Sequence, residues 1–448
     1  MEKEKNKDND LMNKVVSLCK RRGFVFQGSE IYGGLAGTFD WGHFGVALKN
    51  NIKQNWWRKF VESRRDMYGM DAAILMRQEV WQASGHVSSF SDPMVSCKSC
   101  GKQYRPDQIG GVVDDKDSKR WTLRPCPNCG MSEWTTVKEF NMMFQTKVGA
   151  LEDSSAVSYL RPETAQGMFV NFKNTVDAFH PKLPFGMAQI GKAFRNEITP
   201  RDFLFRQREF EQMEIEYFIR ESEWEKHFEY WRDEMSEWME GVGIDMAKVH
   251  ELEVPDSDRA FYSKRTIDFE FDYPFGKKEL FGLAYRTDYD LGVHKLDYID
   301  EENKTKIVPH VIEPSFGLDR AILAVLFSAY TEDEKDGEVR EYLKLKPSIA
   351  PVICAVSPLL KNKPELVEYA NTKVFAPLKT EFGRVAWDDN GNIGKRYRRQ
   401  DEVGTPFCIV VDFDTLTDDT VTVRDRDTGA QERIKVVELN KYIKEKIS

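Results

Sequence analysis

The chain has 448 residues, which at about 150 residues per domain points to two or three domains, each large enough to bury its own core. Its 65 Lys and Arg against 74 Asp and Glu leave a formal net charge of −9, a balance that speaks against a nucleic-acid partner unless the charges are segregated along the chain. Without a run of about 18 apolar residues, neither a membrane span nor a secretory leader is expected, and the expected location is cytoplasmic.

In chain order, the first ten residues, MEKEKNKDND, read as a charged, flexible lead. From Leu11, the apolar residues Met12, Val15, Val16, Leu18 and Cys19 recur at helical spacing up to Gly23. A glycine-rich stretch, 28–45, precedes a second amphipathic segment with Leu48, Ile52, Trp56 and Phe60 on one face. A polar insert rich in Gly, Pro and Asp lies between Cys97 and Cys129. Residues 188–197 and 205–217 read as the two strands of a hairpin around the turn-like Ile198-Thr-Pro-Arg-Asp202. The clearest helix, 223–240, carries Trp224, His227, Phe228, Trp231, Met235, Trp238 and Met239 on one stripe, which reads as packing. Strands resume at 266–271 and 279–285, and a helix from Leu318 ends this part of the chain near Tyr330. A charged linker, 331–346, leads to a small module of alternating strand and helix patterns from Pro347.

Of seven cysteines, four form two pairs, Cys97-Lys-Ser-Cys100-Gly and Cys126-Pro-Asn-Cys129-Gly. Thiolates are soft ligands suited to zinc, each C-x-x-C turns two sulfurs toward one point, and the following Gly permits the tight turn. Four thiolates leave no open position for substrate, so a structural Zn²⁺ held by Cys97, Cys100, Cys126 and Cys129 is expected in a ribbon with an extended loop. The alternative is four buried free thiols.

Residues two apart on a strand face one side, so the hairpin groups Arg195 with Glu197, and Arg206, Arg208, Phe210, Gln212, Glu214 and Glu216 with one another. Such a face suits a nucleotide, with Arg on phosphate, the ring on the base and Glu on an amine. It equally suits a solvated surface of cross-strand ion pairs, and the hairpin alone leaves both readings open.

Other segments bear on that choice. Phe194-Arg-Asn-Glu197 followed by Phe205-Arg-Gln-Arg-Glu-Phe210 resembles motif two of the class II aminoacyl-tRNA synthetases, and Gly317-Leu-Asp-Arg320 resembles motif three. Together with Arg161-Pro-Glu-Thr-Ala-Gln-Gly167, Tyr285-Arg-Thr-Asp-Tyr-Asp-Leu291 and Glu313-Pro-Ser-Phe-Gly317, the chain resembles the homodimeric glycyl-tRNA synthetase family from about Val15 to its C-terminus. The resemblance implies an α/β (α+β) protein in which 1–10 is the lead and 11–346 a class II antiparallel-sheet catalytic domain. That domain would carry a zinc-ribbon insertion at 95–135 and a helical insertion at 220–262, and 347–448 would be an anticodon-binding α/β domain.

The resemblance also implies the chemistry: activation of glycine with ATP and Mg²⁺, then transfer to tRNA-Gly. Arg195 would hold the α-phosphate and Arg320 the γ-phosphate, Phe210 would stack on adenine and Glu197 would accept from its amino group. Asn196, Phe205, Arg206, Glu279, Leu280 and Gly317 complete the ATP set, Glu279 as an Mg²⁺ or ATP contact. Glu163, Glu214 and Glu313 would surround the α-ammonium, Arg286 would hold the carboxylate, Ser315 would stand near Cα, and Arg105 is a weaker candidate. One departure is His43 in Asp40-Trp-Gly-His-Phe-Gly45, where motif one of the family has proline at the dimer interface.

Residues 347–448 hold 16 basic and 16 acidic residues, so the whole −9 belongs to the first 346. Within this neutral module Lys395, Arg396, Arg398 and Arg399 cluster around Tyr397, a composition suited to reading a single-stranded RNA loop or to a solvated basic turn. Two rivals remain: a synthetase-like accessory protein without catalysis, and a class II synthetase specific for serine or proline.

Overall fold

The structure, a computed structural model, describes residues 2–114, 117–150, 157–300, 304–335 and 337–447. Met1 of the lead, 115–116 of the ribbon insert and Ser448 lie outside the described residues.

Seven strands form the central sheet: β1 (Met67–Met70), β2 (Phe185–Phe194), β3 (Glu209–Ile219), β4 (Val249–Glu253), β5 (Arg265–Tyr273), β6 (Gly276–Thr287) and β7 (His310–Gly317). Their order is β4-β5-β6-β7-β3-β2-β1, antiparallel throughout except for β1 beside β2. The helices of this body include α1 (Glu2–Arg21), α2 (His43–Trp57), α3 (Ala165–Val170), α4 (Trp224–Gly241) and α5 (Leu318–Ala329).

Period-two alternation decides what each face of the sheet can do. Met213, Ile215 and Tyr217 of β3, Phe281, Leu283 and Tyr285 of β6, and Ile312 and Phe316 of β7 belong to one buried core. Helices α2, α4 and α5 cover them with Leu48, Ile52, Trp56, Trp231, Met235, Trp238 and Ile322. Trp238 meets Phe316 edge-on at 5.2 Å, and truncating such a side chain to Ala costs about 3–5 kcal/mol. The residues in between, Gln212, Glu214 and Glu216 of β3, Gly282, Ala284 and Arg286 of β6, and Glu313 and Ser315 of β7, must therefore face the other way. Apolar burial on one side thus presents polar groups on the other.

Four expectations change. The lead is not a separate segment, because helix α1 begins at Glu2; its Glu and Lys are good helix formers and no Gly or Pro interrupts it. Within 220–262 the one α-helix among the described residues is α4, flanked by short 3₁₀ turns at Glu221–Glu223 and Met246–Lys248, and the later part supplies β4, the edge strand of the sheet. The linker 331–346 is a β-hairpin of Tyr330–Lys335 and Glu338–Leu343. In the predicted hairpin β2 stops at Phe194 and β3 starts at Glu209, with Phe194 opposite Glu209, so Arg195, Glu197, Arg206 and Arg208 lie in the connecting loop.

His43 causes no break: it is the first residue of α2, behind Gly42 as N-cap. An N1 amide lacks an intrahelical partner whatever the residue, so proline and histidine are both accommodated there. A Cβ on Gly45 would stand 1.8 Å from the Phe24 carbonyl oxygen, so this glycine seats α2 against the preceding chain.

The C-terminal part has its own sheet: β8 (Cys354–Pro358), β9 (Val385–Trp387), β10 (Phe407–Val411), β11 (Thr420–Asp425) and β12 (Gln431–Lys435). The order is β9-β8-β10-β11-β12, parallel at β9, β8 and β10 and antiparallel beyond. Helical residues 364–382, α6 (Ile393–Val403) and α7 (Leu439–Ile447) complete it. All five residues of Phe407–Val411 are buried, as a continuous apolar run in a covered parallel strand requires. Among the described residues no helix is long and apolar enough to cross a membrane.

Candidate active site

The polar face of the sheet floors a cleft of about 370 Å³, lined among others by Glu163, Arg195, Glu197, Phe205, Arg206, Phe210, Glu214, Glu279, Leu280, Glu313, Ser315, Gly317 and Arg320. Its volume is that of a small-ligand site. One end is cationic. Arg320, at the start of α5, lies 4.4 Å over the Phe205 ring and pairs with Glu279 at 3.1 Å. Arg195 donates from Nε to the Pro162 carbonyl and stands between the Phe90 and Phe210 rings, 5.3 Å from each centroid. Glu197 accepts from Arg206 at 3.2 Å. One face of the Phe210 ring is thus already covered by a guanidinium. Asp268, also lining this end, is pushed up to about 7 by burial and then by Glu279 and Glu270.

The other end is acidic and deep. Carboxylate oxygens of Glu214, Glu216 and Glu313 lie within 4.8 Å of one another, and all three residues are buried. Glu214 accepts from the Ser315 hydroxyl at 2.8 Å and from the Thr164 hydroxyl. Burial, then Glu163, raises Glu214 above the usual carboxylate range. Burial also lifts Glu313 to about 8, with Glu214 and Glu163 adding to it and Arg286 opposing. Glu163 behaves differently. Burial works against its charge, but His86 at 3.2 Å, Arg286 and Arg195 prevail and hold it at about 2. A strongly ionised carboxylate beside two reluctant ones is a place made for a small cation.

Three expected residues are placed otherwise. Arg286 is 2% exposed, and its guanidinium is fully engaged with other side chains. Nε and one terminal nitrogen donate to Asp290 at 2.7 and 2.9 Å, and the other terminal nitrogen donates to both Glu313 oxygens at 2.9 Å. It orients an acid of the site and leaves no fork for a ligand carboxylate. Arg105 sits on the ribbon, paired with Asp92 and, at 3.1 Å, with Asp107, and does not line the cleft. Asn196 is held through its main chain, its backbone N–H donating to the Met142 carbonyl at 2.7 Å.

The sequence did not mark His86, Asp290 and Glu216 as neighbours of these acids. Glu216 was in view on the strand face, but only the pairing of β3 with β7 shows that it approaches Glu313. His86 lies 77 residues before its partner Glu163, and no local pattern marks it.

In the ribbon the four cysteine sulfurs converge, with Cys97 and Cys129 at 3.6 Å and Cys100 and Cys126 at 3.7 Å. The two knuckles repeat one design: Gly101 and Gly130 have φ of +72° and +73°, and their amides donate to the carbonyls of Cys97 and Cys126 at 2.8 Å. On α6 the four cations divide. Arg396 is 3% exposed and donates to the carbonyls of Pro358 and Gly391, and Arg399 is tied to Asp388. Lys395 and Arg398 are the exposed pair.

Comparison with known proteins gives the family. Residues 145–329 match the model described as tRNA synthetase class II core domain (G, H, P, S and T), and 353–446 match the anticodon binding domain. The glycine–tRNA ligase of Clostridium acetobutylicum is 48% identical, the match covering 98% of this chain and 100% of that one. That of Thermus thermophilus is 46% identical over 97% of this chain and 99% of its own. The chain belongs to the glycine–tRNA ligase family. This membership sets aside the inactive accessory reading and the serine or proline specificities. Prolyl-tRNA synthetases of Giardia lamblia (TM-score 0.69) and Cryptosporidium parvum (TM-score 0.66), each 14% identical, share the fold over 99% and 97% of this chain.

Proposed function

We propose that the protein is a glycine–tRNA ligase, forming glycyl-adenylate and pyrophosphate from glycine and ATP and passing glycine to the 3′ end of tRNA-Gly. The observation that carries this reading is the adjacency, in one cleft, of a three-glutamate pocket and a pair of guanidiniums. Glu163, Glu214 and Glu313 receive the α-ammonium. The ligand carboxylate then points toward Arg195, which spans it and the α-phosphate, since the two must come within bonding reach. The carboxylate attacks the α-phosphate, the P–O bond to pyrophosphate breaks, and the charge that builds on phosphorus meets preplaced cations. Arg320 takes the departing phosphates. Phe210 and Glu197 hold adenine, Phe205, Arg206, Leu280 and Gly317 shape that end, and Asn196 secures the loop. Asp268 and Glu279 form a donor set suited to Mg²⁺, which supplies further charge neutralisation on the phosphates. Arg286 acts by orienting Glu313, and Ser315 by orienting Glu214. Selection for glycine is steric, because every competitor adds volume at Cα, and no editing site is needed to reject a larger side chain.

The same reading includes a structural Zn²⁺ in the ribbon. A tetrahedron with Zn–S of about 2.3 Å has S···S edges of about 3.8 Å, close to the observed 3.6 and 3.7 Å. It also includes a cytoplasmic location, and a homodimer formed through the region of α2. The test is glycine-dependent ATP–pyrophosphate exchange with alanine, serine and proline as controls, on protein sedimenting at twice 52.0 kDa. Exchange with glycine alone is expected; exchange with a control amino acid, or none with glycine, defeats the assignment.

A further inference from the structure

Glu216 has no task in the scheme above, yet it is placed where a carboxylate is hardest to keep. It is 0% exposed, and neither of its oxygens meets a hydrogen-bond partner among the described residues. Glu214 lies on its own strand, Glu313 approaches from β7 and Asp290 from residues 289–293, while Met187 stands opposite on β2. The cation facing it is Arg286 on β6, already divided between Asp290 and Glu313. Like charges this close in a buried pocket cannot all ionise.

We propose that Glu216 holds a proton in the free enzyme and releases it when an α-ammonium enters, so that ligand charge takes the place of the proton. The O–H bond of Glu216 breaks, its electron pair stays on the carboxylate, and the proton leaves to solvent. The ammonium keeps all three of its own, and no redox partner is involved. Glu216 is thus a positioning residue that sets the charge of the ammonium site. Burial first, and then Glu313, push its carboxyl well above the ordinary carboxylate range. The sign follows: because binding expels a proton, glycine affinity rises with pH while the free enzyme still carries that proton, and levels off above. The ATP end carries a raised acid of its own, Asp268, and any pH dependence of ATP affinity belongs to that group and not to Glu216.

This inference rests on the glycine reading, and the test separates the two. Glycine is titrated calorimetrically into the full chain near neutral pH, in buffers of different ionisation enthalpy. The wild-type heat is expected to vary with the buffer, with a slope approaching one proton released. Glu216→Gln, which is neutral throughout, should bind glycine about tenfold more weakly and lose that slope. A buffer-independent wild-type heat, or an unchanged slope in the variant, overturns the proposal. Should the variant fail to fold by circular dichroism, Glu216→Met, of similar size and without a charge, takes its place. Loss of the buffer-dependent slope in that variant supports the proposal, and an unchanged slope overturns it. Absence of glycine-dependent exchange removes the glycine reading and this inference with it, whereas exchange with buffer-independent heat removes the proton alone.

Discussion

Arg286 shows how a single side chain can matter to a ligand it need not touch. Its fork spans Asp290 on one side and both oxygens of Glu313 on the other, while Tyr262 lies 4.0 Å over the guanidinium. A lysine carries the same charge but only one nitrogen, and cannot bridge two carboxylates in fixed geometry. Arg286→Lys should therefore fold, keep its KM for ATP, and lose glycine selectively. A fall of about 100-fold in kcat/KM for glycine, or about 2.7 kcal/mol, is expected in pyrophosphate exchange. Were Arg286 simply a structural residue, both substrates would weaken together and the thermal midpoint would drop in step. The stronger change, Arg286→Met, would leave two buried acids uncompensated at about 3–5 kcal/mol and is expected to unfold the domain.

Elements carry the ribbon's effect into the cleft. The strand Ser91–Ser96 follows directly from Phe90, which lies beneath Arg195, and Asn141 at the end of Lys138–Asn141 holds the carbonyls of His86 and Val87 at 3.2 and 3.0 Å. His86 in turn faces Glu163. The base of the ribbon thus supports two residues that line the cleft, Arg195 and Glu163. Replacing exposed Cys129 by Ser should leave less than one zinc per chain, and glycine activation, not tRNA affinity alone, should fall about tenfold, as loss of support around a metal site commonly costs. Metal analysis with exchange kinetics checks this, and a zinc-free variant at full rate would contradict it. The knuckles were readable in sequence because Cys, two spacers, Cys and Gly encode one local turn. So were α4 and the strand pair β2 and β3, whose periodicity is local. The hairpin at Tyr330–Lys335 escaped notice because its strands are mostly charged. Only its partners explain it, since Arg340 reaches Asp401 at 3.1 Å and the Arg426 carbonyl at 2.8 Å. β4 was hidden in the same way, its pattern set by pairing with β5 and not by burial of its own face.

At the scale of the whole molecule the net charge of −9 falls on the first 346 residues. That part holds the buried acids and the guanidiniums that line the cleft, and the smaller domain is neutral. Arg424 and Arg340 converge on Asp401, 1% exposed, at the junction between the two. Arg396 and Arg399 likewise brace α6 from within. An RNA surface is built from exposed groups, and the exposed cations of α6 are Lys395 and Arg398. Replacing these two by Ser should weaken tRNA binding and reduce its salt slope by about 1 to 2, as loss of two phosphate contacts implies. Glycine-dependent exchange should be untouched. Replacing Arg396 by Ser should act differently, lowering the thermal stability of the module by about 1–3 kcal/mol through the orphaned Pro358 and Gly391 carbonyls. Filter binding across a salt series, set beside thermal unfolding, separates the two effects. An unchanged salt slope in the double variant would remove α6 from the tRNA surface. It would leave the exposed face of β11 and β12 as the place to look, where Arg433 is already committed to Asp412 and to Asp418 at 3.4 Å.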